Sequence, residues 1–397
     1  MEGKRFIRTL RLKNFLSYGS EGEKIELQPL NVLIGPNASG KSNFIEAIGI
    51  LQATSTNLPA PIRQGGGINN FLWKGTKEIP TAEIEATIDY QKESMPLRYR
   101  IALTAVEQRS ELVDEAIEDE EKKYQNEEDV YFYYRYQRGR PVLNVKNSIE
   151  GEPSKRLLRR EDLLIDQSVL SQRKDPDLYP ELSYLGDRFS KIGLYRGWQI
   201  GRYSPPRMPQ QTDLPEHPLL EDASNLGLVL NNLQYQLGNR QIIEKLKKFY
   251  DAAEELSIKF SGGTVQIFIR ETGLNQPIPA TRLSDGTLHY LFLMALLLDP
   301  TPPPLICIDE PEIGLHPDIL PTIAEMLVEA SVRTQLILTT HSDTLVSALP
   351  PESVVVCDRD DKGSHLRRLD PERLKKWLEK YTLGDLWRMG EIGGNRW

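Results

Sequence analysis

The segment that most constrains this chain is Gly35-Pro36-Asn37-Ala38-Ser39-Gly40-Lys41-Ser42, which fits the pattern G-x-x-x-x-G-K-S. It lies between Leu30–Ile34, a short apolar run with strand character, and Ser42–Leu51, where Phe44, Ile45 and Ile48 recur at helical spacing. Glycines let the loop bend so that its backbone N–H groups turn inward, and the helix start adds the positive end of a dipole. Such a cradle suits phosphate. Lys41 offers a point charge for β and γ phosphates, and the Ser42 hydroxyl a ligand for Mg²⁺. A glycine-rich turn without nucleotide is the plainer reading; the strand–loop–helix order argues against it.

A second apolar run, Leu305–Ile308, delivers Asp309 and Glu310 at the carboxyl end of a strand, where open α/β sheets bind ligands. Asp309 can hold Mg²⁺ directly or through water, and Glu310 suits a general base that polarises an attacking water. In isolation two such carboxylates are as readily a helix N-terminal charge pair; behind a phosphate loop they carry chemistry. Leu283-Ser284-Asp285-Gly286-Thr287 opens an apolar helix, and Ser284 alone reads as an N-cap. Leu338-Thr339-Thr340-His341-Ser342 ends another apolar strand and sets His341 at the ligand edge of the sheet, within reach of a γ phosphate.

Between these ends, Phe6–Leu12, Ile25–Leu27, Ala82–Tyr90, Leu97–Ala105 and Val130–Tyr136 read as strands, the last three antiparallel. Glu111–Asp129 is acidic with few large apolar residues and reads as a solvated loop or exposed helix. Tyr203–Pro218 is proline-rich and reads as a linker, and helical spacing is expected over Leu219–Leu256. A strand (Val265–Ile269), helix (Gly286–Leu298), strand (Leu305–Ile308), helix (Pro317–Ser331) and strand (Gln335–Thr339) follow, the alternation of a parallel sheet covered by helices. Three regions are expected: 1–150 and 261–397 as the two halves of a nucleotide domain, and 151–260 as an inserted helical lobe.

At 397 residues the chain is too long for one small domain, and 39% apolar with 27% charged residues excludes wholesale disorder. A net charge of −8 excludes a generally basic nucleic-acid coat, leaving local basic clusters (Lys155, Arg156, Arg159 and Arg160; Arg367 and Arg368) as candidate phosphate contacts or plain solvated charge. Cys307 and Cys357 are too few for a four-cysteine zinc site and fit a reducing cytosol. The longest apolar run, Leu291–Leu298, is too short to span a bilayer, and the N-terminus has no apolar signal core, so a cytoplasmic protein is expected.

In order and spacing the four motifs resemble the ATP-binding-cassette superfamily of ATPases, in its soluble SMC/RecF/OLD branch, with a P-loop NTPase α/β fold. The resemblance covers residues 1–50 and about 280–350, and it is nearest to stand-alone bacterial OLD-like ATPases. It implies a Walker A loop (Gly35, Pro36, Asn37, Ala38, Ser39, Gly40, Lys41, Ser42, Asn43), a Walker B pair with Glu310 catalytic, a D-loop at Glu312–Pro317 and a switch His341. It also implies a Q-loop glutamine serving catalysis and metal beside Ser42 and Asp309; Gln172 is the choice and Gln167 its competitor. The cofactors are then ATP and Mg²⁺, with Ser284 and Gly286 of one subunit facing the nucleotide of a second. The tail from Tyr381–Trp387 through Gly393–Trp397 resembles the same group. Too few residues follow His341 for a nuclease domain, which takes on the order of 100. No long coiled coil, Cys-x-x-Cys hook or membrane domain is legible. The function implied is the regulatory ATPase of a defence module with a separately encoded nuclease or toxin. A RecF-like DNA-repair ATPase is the alternative, and a transporter subunit follows behind.

Overall fold

The computed structural model describes residues 3–90, 95–123, 129–137, 140–146, 153–157, 163–164, 166–199 and 201–394. The chain begins with β1 (Ile7–Lys13), β2 (Glu23–Glu26), β3 (Leu30–Ile34) and the helices α1 (Lys41–Thr54), α2 (Pro59–Gln64) and α3 (Ile68–Phe71). Next come β4 (Ala82–Ile88), β5 (Leu97–Val106), β6 (Arg109–Asp119), β7 (Phe132–Gln137), β8 (Arg140–Lys146) and β9 (Pro153–Leu157). The middle holds α4 (Val169–Gln172), α5 (Pro180–Ser190), β10 (Gly193–Tyr195), β11 (Gln210–Gln211), α6 (Leu226–Leu237) and α7 (Asn239–Lys247). Then follow β12 (Ala253–Ser261), β13 (Thr264–Glu271), β14 (Ile278–Pro279), α8 (Asp285–Leu297), β15 (Leu305–Asp309) and α9 (Leu320–Ser331). The chain closes with β16 (Gln335–Thr339), α10 (Asp343–Ser347), β17 (Val354–Asp360), β18 (Gly363–Arg368), α11 (Pro371–Leu378) and α12 (Leu383–Arg388).

Three sheets result. An eight-stranded antiparallel sheet runs β2-β1-β4-β5-β6-β7-β8-β9, and a small sheet joins β11, β13 and β12 with β14 on β13. The sheet that positions the site runs β10-β15-β16-β3-β17-β18, parallel except at β18. In it β3, from the start of the chain, lies between β16 and β17 from its end. All five residues of β3 are buried, as helices on both faces demand. Alternate residues feed different cores. Leu33, Cys307, Ile337 and Val355 pack toward α1, α5 and the antiparallel sheet. Val32, Ile34, Ile306 and Leu338 pack toward α6, α8 and α9. Helix α8 is apolar on every side and is buried from Thr287 to Leu297, as a helix inside a core must be. Among the described residues no helix is long and apolar enough to cross a membrane.

Four sequence expectations are corrected. The acidic run is not a solvated loop: its first part is β6, in mid-sheet, with Glu115, Glu118 and Asp119 all buried. Partners make this tolerable, since Glu115 accepts from Tyr99 Oη at 2.7 Å and from Val169 N at 3.0 Å, and also from Ser168 Oγ. Arg98 and Arg135 both reach Glu118 at 2.7 Å. The expected helical stretch 219–256 ends early, because β12 starts at Ala253 and pairs along its length with β13. The proline-rich stretch is built into the fold, with Arg207 and Gln210 buried. The basic pair Arg367 and Arg368 holds structure: Arg367 donates to Ile392 O at 2.6 Å and Arg368 to Asn31 Oδ1 at 2.6 Å. Burial pulls the Arg368 guanidinium down to about 10. Arg159 and Arg160 lie outside the described residues, as do the side chains of Lys155 and Arg156 and the tail residues 395–397.

Candidate functional site

In a parallel sheet every strand ends at the same edge, so the loops after β3, β10, β15 and β16 share one crevice. After β3 the chain makes the tight turn that its glycines permit. Gly35 (φ 150°) and Gly40 (φ 109°) take backbone forms open to glycine, and a Cβ on Gly35 would lie 2.2 Å from Cys357 O. Ala38 adopts the left-handed region without being glycine (φ 63°), a locally strained position. Gly40 then caps α1. Lys41 is buried, and its Nζ donates to the Gly35 and Pro36 carbonyls at 2.9 Å each. Burial lowers its pKa, against the opposing pull of Cys357, Glu310, Asp309 and Glu312. Ser42 is exposed at the helix start, whereas Ser39 Oγ is buried without a partner. These residues fit a bound polyphosphate: a buried hydroxyl without a protein partner and a lysine bonded to loop carbonyls are donors that an anion can take up.

After β15, Asp309 accepts from Thr339 Oγ1 and, through its main-chain carbonyl, from Trp198 Nε1 at 2.6 Å. Glu310 is held at φ 49°, a left-handed non-glycine position, by its N–H donating to Thr339 O at 3.1 Å. His341 Nε2 lies 3.6 Å from Glu310 Oε1, both side chains about one-third exposed. Glu312 fixes the loop beneath, accepting from Thr340 Oγ1 at 2.8 Å and from His341 N at 2.7 Å. Burial raises the Glu312 pKa above the ordinary carboxylate value.

The serine of the third motif does what an N-cap does. Ser284 Oγ accepts from Thr287 N at 3.0 Å at the start of α8, while a Cβ on Gly286 would come within 2.8 Å of Gly314 O in the 312–317 loop. His289, one turn further, donates through Nδ1 to Ile313 O at 2.5 Å and lies against the Trp198 ring, 4.1 Å between centroids. A carbonyl only accepts, so Nδ1 carries the proton.

Residues 30–347 match the family described as "AAA domain, putative AbiEii toxin, Type IV TA system". The chain belongs to this family. It has a P-loop NTPase fold. The chromosome partition protein Smc of Mycolicibacterium paratuberculosis (strain ATCC BAA-968 / K-10) is 29% identical over 98 residues, covering 24% of this chain and 8% of that protein. That of Clostridium kluyveri (strain NBRC 12016) is 26% identical over 97 residues, again 24% of this chain and 8% of the relative. The chain thus matches only about 8% of the length of these curated relatives. An Smc head bound to the C-winged helix domain of ScpA superposes with TM-score 0.55 at 16% identity, covering 94% of this chain and 100% of that one. A Pyrococcus furiosus Smc head bound to the C-terminal domain of ScpA gives 0.53 at 15%, covering 94% and 99%. At such identities the likeness is one of fold.

Within this fold the glutamines chosen from sequence turn to other partners. Gln172 uses its amide inside its own turn, accepting from Leu164 N at 2.7 Å and donating to Gln167 O at 3.0 Å. Gln167 accepts from Leu58 N at 3.2 Å, behind α1. The strand parallel to β15 is β10, and it is followed by Arg196, Gly197, Trp198 and an exposed Gln199. Local periodicity concealed it. A three-residue strand leaves almost no pattern, and its pairing with β15 is visible only in three dimensions. Thr339 and Trp198 were missed for the same reason. Each acts through a neighbour that is remote in sequence. Among the described residues no cluster of three or more His, Cys, Asp or Glu side chains could hold a metal by itself. Ser42 and Asp309 fit a Mg²⁺ that takes its remaining ligands from phosphate and water.

Proposed function

We propose that the protein is a regulatory ATPase that closes as a two-fold pair on ATP, with hydrolysis by Glu310 reopening it. The observation carrying this reading is the pairing of His341 with Glu310 at the sheet edge, under the field that also reaches Lys41. Lys41 would exchange the Gly35 and Pro36 carbonyls for β and γ phosphate oxygens. Mg²⁺ held by Ser42 and Asp309 would supply charge neutralisation between those phosphates. Glu310 takes a proton from the attacking water, and His341 holds the Glu310 carboxylate and the γ phosphate in register. Gln199, from the carboxyl end of β10, takes the role the sequence gave to Gln172. Ser284 and Gly286 open α8 toward a second copy, whose nucleotide they would meet through backbone N–H groups and the helix dipole. Two such sites require isologous two-fold symmetry.

The partner is a separately encoded effector in a defence module, a reading supported by the toxin–antitoxin wording of the family. The likeness to Smc supports a second reading, a chromosome-associated ATPase that holds duplex DNA. Changing Glu310→Gln tests the chemistry and separates the two. Phosphate release should fall by on the order of 100-fold or more while ATP stays bound and light scattering reports a dimer. Release at the wild-type rate would remove Glu310 from its role. ATP-dependent retention of a fluorescent duplex by that variant would favour the second reading over the first.

A further inference from the structure

The proline-rich stretch read from sequence as a linker carries a buried arginine. Arg207 Nε donates to Gly201 O at 3.1 Å, its Nη1 to Leu283 O, and its Nη2 to Asp285 Oδ1 at 2.5 Å. Asp285 also accepts from Gly201 N at 3.2 Å. The guanidinium therefore grips the residues on both sides of Ser284, with three N–H groups fixed in its planar fork. The segment bearing it follows β10 directly, and its other end is tied to the hydrolytic edge by Trp198 Nε1 on Asp309 O. Trp198 also rests on His289 of α8, which donates to Ile313 O of the 312–317 loop. One short segment thus spans from the strand end bearing Asp309 to the turn that opens α8.

We propose that Arg207 is a positioning residue that sets the Ser284–Gly286 turn for the nucleotide of a second subunit, leaving its own subunit's phosphate loop untouched. This rests on the paired-head reading above. Two observations carry it. Among the described residues Arg207 bonds to the turn and to its own loop, and its side chain is removed from water, while Ser284 already spends its hydroxyl on capping α8 through Thr287 N. A neutral substitute leaves the Leu283 carbonyl and the Asp285 carboxylate partly unserved, so the turn loosens where it must be rigid to meet an anion.

The test is Arg207→Gln, measured alone and mixed one to one with Lys41→Ala. Alone, the variant should bind ATP within about twofold of wild type, because the Lys41 cradle is intact, yet turn over on the order of tenfold more slowly. In the mixture half of the dimers are mixed, and each has one undamaged composite site: Lys41 from the Arg207→Gln subunit and the turn from the other. About a quarter of the wild-type rate should return. Arg207→Lys, which keeps the charge, should recover part of the loss without mixing. Ser284→Arg mixed with Lys41→Ala serves as the reference for the paired-head reading. Recovery there without recovery for Arg207→Gln would overturn the role of Arg207, since the residue would then act on its own subunit's site. Recovery in neither mixture would overturn the paired head, and this proposal with it. Should Arg207→Gln fail to fold, Asp285→Asn removes the same ion pair from the other side and must give the same pattern of loss and recovery; loss without recovery in that mixture overturns the proposal.

Discussion

At the scale of single residues, the site is built from groups whose ordinary behaviour is altered by burial. His289 is the clearest case: burial pulls its imidazole down to about 4, well below the usual 6.5. The sign follows from linkage. Between those values the unfolded chain takes up a proton that the folded chain refuses, so stability is present above about 6.5 and is lost as pH falls toward 4. The shift corresponds to at most about 3 kcal/mol. Urea midpoints for wild type should fall from pH 7 to pH 5, and the fall should flatten in His289→Gln, which does not titrate. Identical slopes for the two proteins would show that the ring is not held neutral. The strained Ala38 and Glu310 belong to this scale too. Their positive φ values occur in the loop after β3 and at the end of β15, where neighbouring bonds hold the backbone.

At the scale of elements, β6 shows how a strongly charged run becomes a mid-sheet strand. Glu115 serves three donors on β5 and at the start of α4, so its removal strands Tyr99 Oη, Ser168 Oγ and Val169 N together. Glu115→Ala should lower the unfolding free energy by about 3 kcal/mol in chemical denaturation, whereas Glu121→Ala, exposed in the same run, should stay within about 0.5 kcal/mol. Equal effects would return the run to the solvated loop that composition suggested. The phosphate loop, β15 and α8 were legible in the sequence because each announces itself within about ten residues, through apolar runs and the glycines or acids that end them. Gln199 and β10 were not, since a three-residue strand has no period to read.

At the scale of the whole molecule, the two ends of the chain make one sheet. Because β3 is flanked by β16 and β17, the phosphate loop depends on strands supplied some 300 residues later in the sequence. Cutting the chain in the exposed stretch between Thr212 and Asp213 should leave neither piece able to bind ATP. Expressed together, the pieces should copurify one to one and regain nucleotide binding, as titration calorimetry would report. A piece ending at Thr212 that binds ATP by itself would show that the loop folds without its neighbours.

Sequence alone placed the residues along the sheet edge: Lys41, Ser42, Asp309, Glu310 and His341 all come after short apolar strands, and local pattern places residues that stand at or just past a strand's end. Tertiary structure decided which loops share that edge. It turned Gln172 into its own turn, drew Arg207 onto the turn at Ser284, and buried Glu115. The physical reason is that an apolar period is a property of neighbouring residues, whereas a buried charge is tolerable only beside partners that the fold brings from elsewhere in the chain.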